Sequence, residues 1–407
     1  MARFTDEALD LERLRRDRSA RLRSELERSG ASALLVLASG NVKYATGASL
    51  GGGDAGGALA RRTIGLVLPG VERPFVWTPG PEAVPAEIPP EHVRASLDLE
   101  SSDGVRALAR EILDSAGDGL RGPLAIDDLS AAMHVELPRA LGTELVDAST
   151  VLGPAKLRKT DDEIECIRRA QSINERAMLD VQAALRPGLR QTDLSALFLR
   201  RILELGASAN GIDPIWQVMG RRRTDVFTTT GEVAFPLVTT DRFLRDGDEL
   251  WVDTGIDWAG YQSDFGRTWI VGDPPRPTRR QNDRAKRWRD VLEAALEGVR
   301  PGATGRDLTE RAIRAAGGPG GEKPWLRHFY LIHGVGTDPA EMPLIGTDLG
   351  DEFDEGIVLA PGMVLVLEPV IWEEGEGGYR AEEIVAVTEN GYRWLSDHPY
   401  APYEEPR

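Results

Sequence analysis

Five residues spread over the C-terminal half of a 407-residue chain carry its strongest chemical signal. Leu250 to Val252 reads as a short apolar strand ending on Asp253, and Asp264 follows eleven residues later. A turn over Asp257 to Gly260 would fold these segments into a hairpin and face the two carboxylates toward each other. Taken alone, two such aspartates serve equally well as turn caps. Three further residues tilt the reading. His333 follows the apolar Leu331-Ile332, Glu368 closes Met363-Val364-Leu365-Val366-Leu367, and Glu382 stands beside the strand-like Ile384 to Thr388. An unpaired glutamate behind five apolar residues is costly unless a cation or hydrogen bonds compensate. Four carboxylates and one imidazole form an oxygen-rich set that suits Mn, Co, Fe or Zn in pairs better than a structural zinc. Two such metals, roughly 3.5–4 Å apart, can share a water, lower its pKa and polarise a carbonyl. A glutamate can take that water's proton.

The elements that must position these residues fall into two groups. Residues 1–153 alternate helical and strand-like segments: a helix from Asp6 to Glu27, strands at Ser32–Leu37, Ile64–Leu68 and Pro74–Trp77, a helix from Val105 to Ser115, and a strand at Pro123–Ile126. This pattern predicts a small α/β domain. Residues 154–407 form the second domain. It opens at Thr160, an N-cap with Glu163 as its capping-box partner, on a helix running to about Leu185 before Pro187-Gly188. Another helix begins near Thr192. From Arg245 the pattern is mostly strands, with helical insertions at Thr278–Gly298 and Gly305–Ala316; proline-rich stretches at 85–90 and 273–277 are loops.

Composition narrows the function classes. A net charge of −17 argues against non-specific binding to nucleic acid or anionic membrane, since both need a positive field. No apolar run reaches the ~20 residues of a membrane span, and the N-terminus lacks a signal-peptide core. Cys166 is the only cysteine, which excludes an internal disulfide and a thiolate cluster. Its helical surroundings assign it a structural role, and the whole is consistent with a cytoplasmic protein.

These residues resemble the pita-bread-fold family of Xaa-Pro aminopeptidases, prolidases, methionine aminopeptidases and creatinase, over nearly the whole chain. Asn41-Val42-Lys43-Tyr44-Ala45-Thr46-Gly47 looks like the N-terminal-domain motif of the prolidase and creatinase branch. Leu157-Arg158-Lys159-Thr160 with Asp162-Glu163-Ile164 resembles that branch's entry into its catalytic domain. The resemblance implies a creatinase/prolidase-type α/β N-terminal domain followed by an α+β pita-bread catalytic domain. It implies two divalent metal ions, manganese first, with Co, Zn or Fe as alternatives. Asp253 and Asp264 would bind the metals, Glu382 would bridge them with Asp264, and His333 and Glu368 would bind one. Glu368 matches the family's usual general base, and Arg380 a position that supports the ligands or the substrate. Glu383 is then the acidic neighbour in an Arg-x-Glu-acid pattern. The implied activity is hydrolysis of a C–N amide bond in a small peptide or peptide-like substrate, by a homodimer.

Two family histidines are missing. The position seven residues after His333 is Ala340, although the following Glu341-Met342-Pro343 keeps the motif's tail. The position seventeen residues before Asp253 is Pro236. In the family these side chains are thought to bond substrate and stabilise the tetrahedral intermediate, which neither alanine nor proline can do. That departure motivates a second reading, a creatinase-like hydrolase or lyase acting on a small metabolite. A third, a scaffold without turnover, is opposed by the retention of five costly ligands. His328 is a candidate substitute donor, with a surface or core role the more ordinary reading. Arg221-Arg222-Arg223 is either a solvated turn or an anchor for an anionic substrate group. Gly51-Gly52-Gly53-Asp54-Ala55-Gly56 fits a nucleotide-loop pattern but is not placed between a strand and a helix start, so it reads as a flexible loop.

Overall fold

The computed structural model describes residues 9–48, 62–117, 120–222, 239–317 and 331–403. The glycine-rich loop at 51–56, Arg223, Pro236 and His328 lie outside the described residues. The chain divides into two units, Met1–Lys156 and Leu157–Arg407.

The first unit opens with α1 (Leu11–Ser29), which starts later than the expected Asp6. The Asp10 carboxylate accepts from the amides of Glu12 and Arg13, which fixes the helix start there. Strands β1 (Ala33–Val36), β2 (Ile64–Val67), β3 (Phe75–Thr78), β4 (Val93–Ala95), β5 (Leu124–Ile126) and β6 (Leu145–Asp147) form one six-stranded sheet in the order β4-β3-β2-β1-β5-β6. The β1–β2 and β2–β3 pairs are antiparallel and the others parallel. Helices α2 (Ser39–Thr46), α3 (Ser102–Ala116), α4 (Ala131–Leu141) and α5 (Ser149–Leu157) complete the unit. The Asn41 motif is structural. Asn41 donates to Asp127 at 2.9 Å and accepts from buried Lys156 at 3.2 Å, while the Tyr44 hydroxyl donates to the Ala155 carbonyl at 2.7 Å.

The second unit begins with α6 (Asp161–Ala184), whose Thr160–Glu163 capping box forms as expected. Its buried apolar stripe, including Ala170, Ala177 and Met178, packs on strand residues such as Val252 and Phe265. Next come α7 (Gln191–Glu204) and β7 (Ala209–Val218), a strand absent from the sequence reading. Strand β8 runs from Glu249 to Trp258, so Asp253 sits in mid-strand rather than at a strand end. The reason is continued pairing: β7 borders one edge of β8, and β9 (Tyr261–Gln262) and β10 (Phe265–Ile270) border the other. The expected turn is present, with Ala259 at φ 52 and Gly260 at φ 83, the left-handed pair that a tight hairpin requires.

Helices α8 (Arg279–Leu296) and α9 (Gly305–Ala316) follow, close to the expected insertions. A second sheet has the order β12-β11-β13-β16-β17, built from β11 (Ile332–Gly334), β12 (Glu341–Ile345), β13 (Val364–Leu367), β16 (Glu383–Thr388) and β17 (Gly391–Trp394). A short α10 (Asp351–Gly356) and the hairpin β14 (Val370–Glu373) with β15 (Gly377–Arg380) complete the unit. The end of the β14–β15 hairpin and the residues leading into β16 lie along β10: the Arg380 amide donates to the Thr268 hydroxyl at 3.0 Å, and the Glu382 amide donates to the Gly266 carbonyl at 3.0 Å.

Candidate metal centre

Each of the five expected ligands sits on or beside a strand of this unit, and the sheets bring them to one place. Asp253 lies in mid-β8, Asp264 just before β10, and His333 in the middle of β11 rather than after it. Glu368 follows β13, and Glu382 falls between β15 and β16. Register explains the convergence. Gly266 pairs with Asp253 in the β8–β10 ladder, and His333 pairs with Val366, two residues before Glu368. One carboxylate oxygen from each of Asp253, Asp264 and Glu382 lies within 4.8 Å of the other two. The His333 Nε2 lies 3.3 Å from Asp264 Oδ2 and 3.2 Å from Glu368 Oε1. All five residues are at most 9% exposed.

Arg380 completes the cluster. Its Nη1 donates to Asp253 Oδ2 at 3.0 Å, and its Nη2 lies 2.6 Å from Glu382 Oε1 and also bonds Glu368. The guanidinium stacks over Trp251, 4.9 Å from the ring centroid. Burial works against this cation, but Glu368, Glu382 and Asp253 outweigh it and hold it protonated.

Four carboxylates around one arginine and one histidine leave an excess of buried negative charge. Burial, with Asp264 and Glu368 adding repulsion, pushes Asp253 up to about 7 against the opposing pull of Arg380. Burial drives Glu382 far above the usual carboxylate range. For His333, burial disfavours the imidazolium, yet its bonds to Asp264 and Glu368 win and raise it to about 10. In the absence of a cation, protons hold this cluster together.

The residues fit divalent metals. Buried Asp253 Oδ1 and Glu382 Oε2 have no hydrogen-bond partner, a cost that a cation would remove. The His333 Nδ1 lies 2.9 Å from the Gly334 carbonyl. Donation there leaves the Nε2 lone pair facing the carboxylates, the tautomer a metal ligand needs. Oxygen donors outnumbering nitrogen four to one suits hard or borderline divalent ions.

The model for metallopeptidase family M24 matches residues 165–389, and that for the creatinase/prolidase N-terminal domain matches residues 18–157. The chain belongs to family M24. Its first unit is therefore of the creatinase/prolidase N-terminal type, its second has the pita-bread fold, and the family's chemistry is hydrolysis with divalent metal ions. A probable dipeptidase PepE of Mycobacterium tuberculosis is 30% identical over 361 residues, covering 83% of this chain and 84% of that protein. An Xaa-Pro dipeptidase of Pyrococcus furiosus is 31% identical over 254 residues, covering 60% of this chain and 65% of that protein. In three dimensions, a dipeptidase from Pyrococcus horikoshii matches with a TM-score of 0.75 at 24% identity, over 94% of this M24 chain and 98% of its own. No described helix is long and apolar enough to cross a membrane.

Other expectations met different outcomes. Ala340 is exposed, directly before β12. Arg221 and Arg222 are exposed beyond the end of β7, with the Arg221 carbonyl accepting from the Gly375 amide at 2.6 Å. Cys166 is buried in α6, as a structural role requires.

Several supporting residues escaped the sequence reading. Arg267, 1% exposed, donates to the carbonyls of Glu382 and His398 and to the Glu383 carboxylate, fixing the backbone around Glu382. His398 is 3% exposed, meets Phe265 edge-on at 4.6 Å, and is held well below its usual pKa by burial and by Arg267. Lys159 forms a buried ion pair with Glu341 at 2.6 Å. For Arg267 the available signal was a charge inside a strand-like stretch bounded by Phe265 and Trp269.

Proposed function

We propose that the chain is a dinuclear-metal hydrolase of the Xaa-Pro peptidase type, cleaving the amide bond of a small peptide or peptide-like substrate. Asp253, Asp264, His333, Glu368 and Glu382 hold the two metals. The observation that carries this reading is the convergence of three buried carboxylates within 4.8 Å, with His333 against two of the four acids. Divalent cations bound there supply Lewis acidity toward a carbonyl and acidify water. Glu368 takes the proton of an attacking water, a role that the family resemblance implies and that its burial in the cluster, against His333 and Arg380, supports. Arg380 keeps Asp253, Glu368 and Glu382 oriented while offsetting their repulsion. Manganese is the metal assigned, on the preponderance of carboxylates, with Co, Zn or Fe able to occupy the same donors. The three relatives above are all named as dipeptidases, which favours a peptide over another small metabolite. A homodimer in the cytoplasm, with its catalytic domain over 154–407, is part of the same reading and rests on the family resemblance.

The test is metal analysis of the purified protein together with turnover of Xaa-Pro and non-prolyl dipeptides in Mn or Co. Two equivalents of metal and prolyl-dependent hydrolysis that disappears in Glu368→Ala are expected. A protein that takes up two metals yet cleaves none of the dipeptides would refute the substrate class. One that takes up no metal would refute the site.

A further inference from the structure

Helix α6 carries an unusual interruption on its buried face. Between Ala170 and Ala177, both fully buried against the strands, stand Gln171 and Asn174, 2% and 0% exposed. Amides at such positions are expensive unless every polar atom finds a partner. Here the partners are the backbone and hydroxyls immediately beside the two aspartates.

Asn174 makes three bonds to the β8–β10 hairpin. Its Nδ2 donates to the Thr254 carbonyl at 2.8 Å and to the Ser263 hydroxyl at 3.0 Å, and its Oδ1 accepts from the Thr254 hydroxyl at 2.9 Å. Thr254 follows Asp253, and Ser263 precedes Asp264. A single side chain therefore links the flanks of both acids. Gln171 acts on one of them directly, its Oε1 accepting from the Asp264 amide at 3.2 Å. Its Nε2 donates to Glu175 at 3.1 Å, which fixes the rotamer. The Ser263 hydroxyl also accepts from the Ile256 amide at 3.1 Å, closing the network across the hairpin.

Ser263 and Asp264 belong to neither β9 nor β10; the Ser263 amide still donates to the Ile256 carbonyl at 3.0 Å, but the Asp264 amide turns to Gln171 instead of to β8. Ladder pairing alone does not set the approach of Asp264 to Asp253. We propose that Gln171 and Asn174 are positioning residues that set the spacing and orientation of Asp253 and Asp264, and so the affinity and geometry of the metal pair. The inference rests on the assignment of those aspartates as ligands, and it goes beyond that assignment by locating the control of the site on a helix that contributes no ligand. Outer residues that orient metal ligands are commonly worth ten- to hundred-fold in affinity.

The experiment uses the full chain stripped of metal. Calorimetric titration with Mn²⁺ reads affinity, the visible spectrum after Co²⁺ loading reads ligand geometry, and thermal unfolding of the metal-free protein reads stability. Asn174→Ala and Gln171→Leu are compared with Met178→Ala, a truncation of the same helix in its apolar packing. Expected are a ten- to hundred-fold weaker Mn²⁺ affinity and an altered Co²⁺ spectrum for both amide variants. Met178→Ala should unfold at lower temperature while keeping the wild-type spectrum. If Asn174→Ala does not fold, Gln171→Leu carries the comparison, since it loses only the contacts to the Asp264 amide and Glu175. Wild-type affinity and spectrum in the amide variants would overturn the positioning role while leaving the site assignment intact. Failure of the unaltered chain to bind Mn²⁺ would overturn the site, and the positioning role with it.

Discussion

Gly266→Ala adds one methyl group at a crowded point of the centre. Gly266 sits in β10 opposite Asp253, and its carbonyl accepts from the Glu382 amide and from Arg267. Its backbone conformation is open to any residue, so the substitution introduces no dihedral strain. What it introduces is a collision: a Cβ there would lie 2.5 Å from Glu382 Oε1, 2.6 Å from Cδ and 2.8 Å from Cγ. Non-bonded heavy atoms settle at about 3.5 Å or more, so the Glu382 carboxylate must retreat by roughly 1 Å. Metal–ligand distances tolerate only about 0.2 Å, so the displaced carboxylate loses coordination. Losing a ligand should weaken binding by about a hundred-fold or more, the upper end of what outer-shell substitutions cost and equivalent to ~2.7 kcal/mol. The metal-free fold should lose less, about 1–3 kcal/mol for an overpacked core site. Equilibrium dialysis against Mn²⁺ and thermal unfolding of the metal-free protein separate the two effects. Wild-type Mn²⁺ affinity in Gly266→Ala would refute the claim that Glu382 occupies the space a side chain would need.

Two predictions concern protons. With Asp253 near 7, Glu382 raised and His333 near 10, the metal-free cluster holds protons at neutral pH that ligation must expel. Mn²⁺ affinity should therefore rise with pH between about 6 and 8, and titrations in buffers of different ionisation enthalpy should show net proton release; pH-independent affinity would contradict the protonated cluster. Glu175 is pushed to about 7 by burial, against the Asp397 amide and Gln171, from an ordinary value of 4.5. Between those values the folded chain holds a proton that the unfolded chain lacks, so stability falls as pH rises from about 4.5 to about 7. The full penalty, ~3 kcal/mol, applies above that window. Glu175→Gln should be more stable than wild type at pH 8 in urea unfolding, with the advantage shrinking toward pH 5; an advantage independent of pH would show that Glu175 does not titrate as described.

The fold and the acids that converge were legible because both write themselves locally. Thr160 with Glu163 announces a helix start, and an apolar run ending in Glu368 announces a buried acid. Strand extents were less legible. Asp253 and His333 were read at strand ends because a polar residue interrupts the apolar run, whereas β7 and β10 carry the ladder of β8 through Asp253 and β9 extends it to Trp258. Strand β7 itself escaped notice, since Ala209-Asn210-Gly211-Ile212-Asp213-Pro214 reads as turn chemistry and only its far end is strongly apolar. The amides of α6 were invisible for another reason. Nothing in the spacing of Gln171 and Asn174 says that their partners lie some eighty to ninety residues away, on the aspartate hairpin.

The retained and the lost parts of the segment after His333 can be separated physically. Glu341 is held by Lys159, whose side chain is 2% exposed and whose backbone amide is tied to the Gly362 carbonyl at 2.7 Å. Glu341 also packs against Gly336, where any Cβ would collide with its carboxylate, and it pairs with Gly334 beside His333. Removing Glu341 would strand a buried cation, a change worth about 3–5 kcal/mol. No comparable constraint acts on residue 340, which is exposed. A histidine there can be lost without disturbing β11, β12 or His333, whereas the glutamate next to it cannot. The motif's tail thus meets a demand of the scaffold, whereas an alanine at 340 leaves the cluster that would hold the metals in place. If the cluster is catalytic as proposed, an exposed alanine at 340 supplies no imidazole donor of the kind that the family resemblance implies.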